Sequence, residues 1–295
     1  MVRLCFPLWA LLLVSAAWAQ DPALRRLGSE LTSPDVAVRR QAAIGLGRAG
    51  GTRAVIMLRQ RFSSEPETAI RLEIVRALRR IAFLRSPGYR DALTALDVAS
   101  NDEMEQDEHV RLRSTQALWE AATKGLLDPV PILERNLDDP SSRLRVAAVQ
   151  MLRKLGTPPV IPVLGRAAVD RSQPLTVRLR AIDALGAVPV PDLGSVGRDV
   201  AKRNLEVTAR LAVPPLADPE MLQRRHQRQI AYLVPVVGDV ENSPALMLAA
   251  VKSIGRVKDK SAIPILRHVG ETHPHAAVRK QAAEALSRVL ARQYE

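Results

Sequence analysis

The chain has 295 residues, of which 47% are hydrophobic and 25% charged, the balance of a folded soluble protein. Aromatics make up only 3%, so the core must be built from Leu, Val, Ile and Ala, which suits packed helices better than sheets. The formal net charge of +12 points to acidic partners, but the basic residues are spread along the chain rather than clustered, as structural arginines in a repeat would be.

The first stretch has the form of a cleavable secretory leader. Arg3 supplies a positive start, Leu4 to Ala17 is almost wholly apolar, and Ala17-Trp18-Ala19 is a small-x-small cleavage site. The apolar run is shorter than the roughly 18 to 20 residues that span a bilayer. The single cysteine, Cys5, lies inside this leader. A processed chain would therefore carry no disulfide, no thiol nucleophile and no cysteine-based metal site. The expected division is a leader over 1–19 and one folded array over 20–295, exported to a periplasm or beyond the cell.

Beyond the leader one pattern recurs: aliphatic, Arg, two residues, a small or aliphatic residue, three residues, aliphatic. It fits Val38-Arg39…Ala42…Leu46, Ile70-Arg71…Ile74…Leu78, Val110-Arg111…Ser114…Leu118 and Leu144-Arg145…Ala148…Leu152. Val177-Arg178…Ala181…Leu185 and Val278-Arg279…Ala282…Leu286 continue it, and Leu246-Met247…Ala250…Ile254 fits with Met in the Arg place. The anchors step by 32, 40, 34, 33, 69 and 32 residues, so one degenerate unit is hidden near 210 to 235. Spacing of i, i+4 and i+8 places the aliphatics on one helix face. A second apolar helix follows in each unit, clearest in Val160-Ile161-Pro162-Val163-Leu164 and Ala262-Ile263-Pro264-Ile265-Leu266, where proline suits the first helical turn. Gly50-Gly51, Gly156 and Gly186 are expected to end helices.

These units resemble HEAT repeats, particularly the short bacterial HEAT-like repeats of phycobilisome-lyase type, over roughly residues 30 to 292, with 186 to 244 poorly matched. The resemblance implies an all-α solenoid of stacked antiparallel helix pairs, about seven to eight of them by the repeat spacing, with second helices lining a concave side. One helical pair cannot bury its apolar face, whereas stacked neighbours cover each other. The recurring Arg follows the repeat and is expected to be structural. Asp35, Glu67, Asp107 and Ser141 each lie four residues before it, suited to a helix start. The guanidinium would bridge to that residue or to a neighbouring unit's turn.

Two regions break the rhythm. Asp97 to Glu108 is an acidic insertion with six acids, read as a solvated loop running into a helix start rather than a calcium loop. Residues 187–243 form an irregular middle with Val188-Pro189-Val190-Pro191, a long helical stretch from about Asp192 to Leu211, and a helix after Pro219 carrying Arg224, Arg225 and Arg228. This region is read as either a pivot between two half-arrays or a diverged unit.

Few residues suggest chemistry. His268, His273 and His275, with Glu271 between them, are the one set with zinc-like composition, but an exposed inter-helix turn is the favoured reading. His109 and His226 are isolated. The deoxyhypusine hydroxylases resemble this architecture and imply a di-iron centre held by His-Glu pairs. This sequence has no His-Glu dipeptide, and Glu108-His109 is reversed. There is no Gly-x-Ser-x-Gly elbow, no His-Glu-x-x-His and no phosphate-cradling glycine loop. Arg71, Arg76, Arg79, Arg80 and Arg85 give one stretch a basic face, yet nucleic-acid binding is disfavoured by the lack of stacking aromatics beyond Trp119.

The expectation from sequence is a non-enzymatic exported scaffold without cofactor, binding a protein partner ahead of an anionic polymer or membrane surface. Arg59, Arg135, Arg166 and Arg267, beside buried leucines of the second helices, are the partner-binding candidates. The rival reading is a metal-dependent enzyme or metal-binding module using the His268 to His275 loop.

Overall fold

Small aliphatic residues at helical spacing set the architecture. In the computed structural model, residues 22–188, 219–239, 241–257 and 259–291 are described, and among them all regular structure is α-helical. The α-solenoid of helical pairs expected from the repeat is the fold. The leader at 1–19 and the helix expected over 192–211 lie outside the described residues. Among the described residues no helix is long and apolar enough to cross a membrane.

The chain forms two compact units, divided between Ala121 and Ala122 rather than at the irregular middle. The first contains α1 (Pro22–Glu30), α2 (Val36–Ala49), α3 (Gly51–Ser64), α4 (Thr68–Phe83), α5 (Tyr89–Val98) and most of α6 (Glu108–Thr123). The second contains α7 (Val130–Arg135), α8 (Ser142–Leu155), α9 (Val160–Val169), α10 (Leu175–Ala187), α11 (Pro219–Gly238), α12 (Pro244–Ile254), α13 (Ala262–Thr272) and α14 (Ala276–Ala291). Within the first unit α2 packs on α4 and α3 on α5. Within the second, α8, α10, α12 and α14 stack in sequence, and α9 packs on α11. Helix α11 is therefore the second helix of the unit opened by α10, and because α10 meets α12 directly, the separate degenerate unit expected near 210 to 235 is corrected to a long connection within that unit.

The anchors of the pattern form the core. Ala42, Leu46, Ile70, Ile74, Leu78, Leu144, Ala148, Leu152, Val177, Ala181, Leu185, Val278 and Ala282 are all buried. Gly50 and Gly156 end α2 and α8 with positive φ, as expected. Gly186 departs from that expectation: it lies inside α10, where a Cβ would come within 2.6 Å of Ser253 Cβ. Its role is close approach between stacked first helices, and Gly47 meets Ala77 on α4 in the same way.

The recurring Arg is a ladder between units. Arg39 is 5% exposed; its Nε and Nη2 donate to the two carboxylate oxygens of Glu65, each at 3.0 Å, while Nη1 donates to the Ser33 and Pro34 carbonyls before its own helix. Arg71 repeats this arrangement with Glu105 at 2.8 and 3.3 Å and the Glu65 and Pro66 carbonyls. Arg111 donates to the Glu105 and Gln106 carbonyls, and Arg279 to those of His273 and Pro274. Each guanidinium therefore ties its own loop with one nitrogen. In the rungs where its far partner is a side chain, that partner sits in the turn that opens the next unit.

Along the second unit the far partner becomes neutral. Arg145 donates to Gln173 Oε1, and Arg178 to Asn242 Oδ1 at 2.8 Å and to the Ala168 carbonyl. Burial pushes the Arg178 guanidinium below its usual pKa, aided by nearby Arg171. Of the two partners considered for the Arg, the neighbouring turn is the one used. Of the residues four before it, Asp35 and Asp107 cap their own helices instead, Asp35 accepting from Ala37 N–H and Asp107 from His109 and Val110 N–H, while Glu67 and Ser141 stand at the N-cap without a side-chain cap bond. The acidic insertion is likewise not wholly solvated, because its Glu105 is 4% exposed and serves as a rung.

The first rung should control acid stability. Burial raises the Glu65 pKa, but hydrogen bonds from Arg39 and Arg61 and from the Glu67 N–H outweigh it, so the carboxyl titrates below its ordinary value. A depressed carboxyl stabilises the fold fully above its unfolded pKa, about 4.3, and loses that contribution as pH falls through the folded value. Arg39→Met should cost about 3 kcal/mol at neutral pH by urea denaturation. The difference from wild type should shrink below about pH 4 as Glu65 protonates. A gap that stays constant well below that pH, until the protein unfolds, would exclude the ion pair as its source.

Candidate functional site

The four arginine candidates occupy second helices but differ in state. Arg59 on α3 is exposed, and its guanidinium has no hydrogen-bond or ion-pair partner among the described residues. In the second unit, Arg267 on α13 is also exposed and without such a partner among the described residues. Arg135 ends α7 and is half-buried. Arg166 on α9 is already engaged, its guanidinium bonded to Glu134 on α7. Arg166 thus links successive second helices, a role its spacing in the repeat did not reveal. Of the basic stretch on α4, Arg71 is a half-buried rung, Arg76 pairs with Glu73, and Arg79 pairs with Glu120 on α6. The side chains of Arg224 and Arg225 lie outside the described residues.

The histidine loop does not assemble a metal site. His273 is 7% exposed, with Nε2 3.1 Å from the Val237 carbonyl and Nδ1 accepting from the His275 N–H at 3.1 Å. Those two bonds require the neutral ring protonated on Nε2, and they occupy both nitrogens. His273 stands where Glu65 and Glu105 stand in earlier turns, six residues before the unit's Arg, here Arg279. The preceding unit carries Met247 in place of the Arg, so the turn residue itself donates back to the end of α11. His275 is exposed, with its ring 5.6 Å from that of His273, and His268 is exposed beside Thr272. Among the described residues no group of three or more His, Cys, Asp or Glu is placed to hold a metal ion. The zinc-like composition of this loop is therefore corrected to a structural turn.

The same donors answer the di-iron centre implied by the hydroxylase resemblance. His109 is exposed on α6, and His226 on α11 is buried with Nδ1 3.7 Å from Asp259 Oδ2. Within the second unit His226 and His273 each have separate partners, and among the described residues no group of His and Glu is placed to hold a metal ion. The residues present do not fit that centre, and no step through it is derived.

What the sequence reading missed is a pocket with charged residues in its lining on the first-helix layer of the second unit. An open pocket of about 370 Å³ is lined by Val149, Gln150, Arg153 and Lys154 from α8 and by Arg180 and Asp183 from α10. Asp183 accepts from Arg153 Nη1 at 3.2 Å and from Arg256 Nη1, just beyond α12, at 2.5 Å. No motif signals this group, because its members belong to three units and none occupies a recurring position of the pattern.

Comparison with known proteins follows the repeat. The sequence model of HEAT repeats matches residues 24–107, 102–186 and 207–289. A protein of Neosartorya fischeri named deoxyhypusine hydroxylase is 26% identical over 248 residues, 82% of this chain and 66% of its own length. Its namesake in Aspergillus clavatus is 26% identical over 255 residues, 84% of this chain and 65% of its own. The chain thus spans just under two thirds of these relatives. The complex of CpcE and CpcF of phycocyanin lyase from Nostoc is 17% identical with a TM-score of 0.38, covering 99% of each chain. The curated relatives are named as an enzyme, and that finding overturns the expectation of a non-enzymatic scaffold.

Substitution at His273 separates a structural turn from a metal ligand. His273→Gln can keep both bonds and is expected to change stability by no more than about 1 kcal/mol, whereas His273→Leu strands the Val237 carbonyl and should cost about 1–3 kcal/mol. Both are read by urea denaturation with and without added zinc. Zinc-dependent stabilisation of wild type that His273→Gln abolishes would restore the metal reading.

Proposed function

Because the chain belongs to the HEAT-repeat family, we propose that it is an enzyme acting on a protein substrate, with exposed faces of its second helices holding that substrate. The observation that carries the enzyme reading is the alignment with proteins named deoxyhypusine hydroxylase over 82% and 84% of the chain. Hydroxylation of a deoxyhypusine side chain is accordingly the first reaction to test. Stacked repeats offer broad surfaces suited to a protein, and the exposed Arg59 and Arg267 favour an acidic one. Arg135 and Arg166 sit on two earlier second helices of the same unit, α7 and α9. The iron donors implied by the hydroxylase resemblance are missing, so the proposal assigns substrate binding to residues and no catalytic step.

The finer localisation belongs with this proposal. Arg3, the apolar Leu4 to Ala17 and Ala17-Trp18-Ala19 support removal of residues 1–19, leaving Gln20 first and an array over 20–295. N-terminal sequencing of the protein from cells that express the full chain checks this; an intact Met1 or Val2 start overturns it.

For the substrate, the full chain is titrated with a deoxyhypusine-bearing protein. Saturable binding is expected, weakened about tenfold by Arg59→Glu and, separately, by Arg267→Glu, a loss of about 1.4 kcal/mol each. Binding indifferent to both reversals overturns the assignment of these surfaces. Mass spectrometry of the substrate, with and without added ferrous iron, reads turnover on the same samples. Substrate left unmodified under both conditions overturns the enzyme reading.

A further inference from the structure

We propose that the pocket between α8 and α10 is a binding site for a small soluble phosphate-bearing anion, independent of the protein-substrate surfaces above. Arg153, Lys154 and Arg180 line the pocket with a single carboxylate, Asp183, which Arg256 also reaches from just beyond α12. That carboxylate is shared by two guanidiniums that reach it from different units. It can neutralise one positive charge, and Arg153, Arg180 and Arg256 alone outnumber it by two.

Arg180 sharpens the argument. It lines the pocket, is exposed, and has no hydrogen-bond or ion-pair partner among the described residues. This contrasts with the ladder arginines Arg39, Arg71, Arg145 and Arg178, each of which has a side-chain partner from another turn. A guanidinium presents five N–H donors in a planar fork, of which Arg153 and Arg256 each spend one Nη1 on Asp183. The remaining donors match the several acceptor oxygens of a phosphate better than one further carboxylate would.

The pocket's size limits the ligand. At about 370 Å³ it lies at the small end of the range for small-molecule sites. It is roomier than one phosphate group requires, and Val149 supplies an apolar wall beside Gln150. A diphosphate, or a phosphate ester with a compact organic part against Val149, fits these features. The side chains of Arg153, Asp183 and Arg256 are 48%, 38% and 38% exposed. The groups therefore remain hydrated, and binding should weaken with salt.

Calorimetry on the full chain at low ionic strength, with pyrophosphate as the probe and inorganic phosphate for comparison, tests the site. Saturable one-to-one binding of pyrophosphate is expected, tighter than that of phosphate. Arg180→Ala should weaken it about tenfold without moving the thermal unfolding midpoint. Arg113→Ala removes the same charge in the first unit and should change affinity less than twofold. Equal losses from the two variants would mean that the general field of a +12 chain is being read, which overturns the site. Asp183→Asn removes the competing carboxylate and is expected to tighten binding, a direction that a purely structural bridge would not produce. Weakening there overturns the roles given to Arg153 and Arg256. Cosedimentation with phosphatidic acid vesicles, with no response to soluble pyrophosphate, would assign the phosphate to a lipid headgroup and overturn the soluble ligand.

Discussion

The buried arginine between units is the constraint on which the remaining structure depends. Stacking helical pairs buries apolar faces, but hydrophobic burial is non-directional and does not fix how one pair is set against the next. The Arg39 guanidinium supplies direction, because its fork must meet the two Glu65 oxygens and two carbonyls of its own loop at once. A buried charge left without those partners would cost several kcal/mol, so the loop, the helix start and the neighbouring turn are fixed together. Glu65 in turn accepts from the Glu67 N–H, which orients the helix of the next unit. Register is thereby handed on through polar contacts while the aliphatic core supplies most of the burial.

The ladder also explains how much the sequence could reveal. The repeat was legible because Arg and three aliphatic anchors recur at fixed helical spacing, and each of those positions is locally determined. The far partner was harder to see. Glu65, Glu105, Gln173, Asn242 and His273 occupy matching turns but span four residue types, so no single type marks the position. Read alone, Glu105 belongs to an acidic loop and His273 to a histidine cluster with metal-like composition. Only their burial and hydrogen bonds identify them as members of one series. Gly186 was misread for a related reason: a glycine near a helix end serves either as a stop or as a point of close approach, and the neighbour that decides, Ser253, lies in the next unit, far along the sequence.

The positive charge divides along the same line. Arg39, Arg71, Arg145 and Arg178 are committed to turns of neighbouring units, and Arg79 and Arg166 to carboxylates on neighbouring helices. A net charge of +12 therefore overstates what the surface offers a partner. The cations that remain available, among them Arg59, Arg180 and Arg267, are distinguished by context and not by sequence, since each sits beside buried leucines or valines as the structural ones do. Charge counting could suggest an acidic partner, but it could not say where one would bind.

The second unit shows what happens as the ladder loses its acids. Gln173 and Asn242 each accept from an arginine and also donate through their amide N–H to a backbone carbonyl of the preceding unit, at Leu137 and Val236. A carboxylate cannot donate, so exchanging Glu for an amide trades Coulombic attraction for a second hydrogen bond in the opposite direction. Where Met247 removes the arginine altogether, His273 keeps only the backward bond, to Val237, and holds its own turn through Nδ1. The series Glu, Gln, Asn, His thus follows the cation it must satisfy. Each turn carries the side chain whose donors and acceptors close the local hydrogen-bond inventory, and the histidine that looked most like chemistry is the residue required once the arginine is gone.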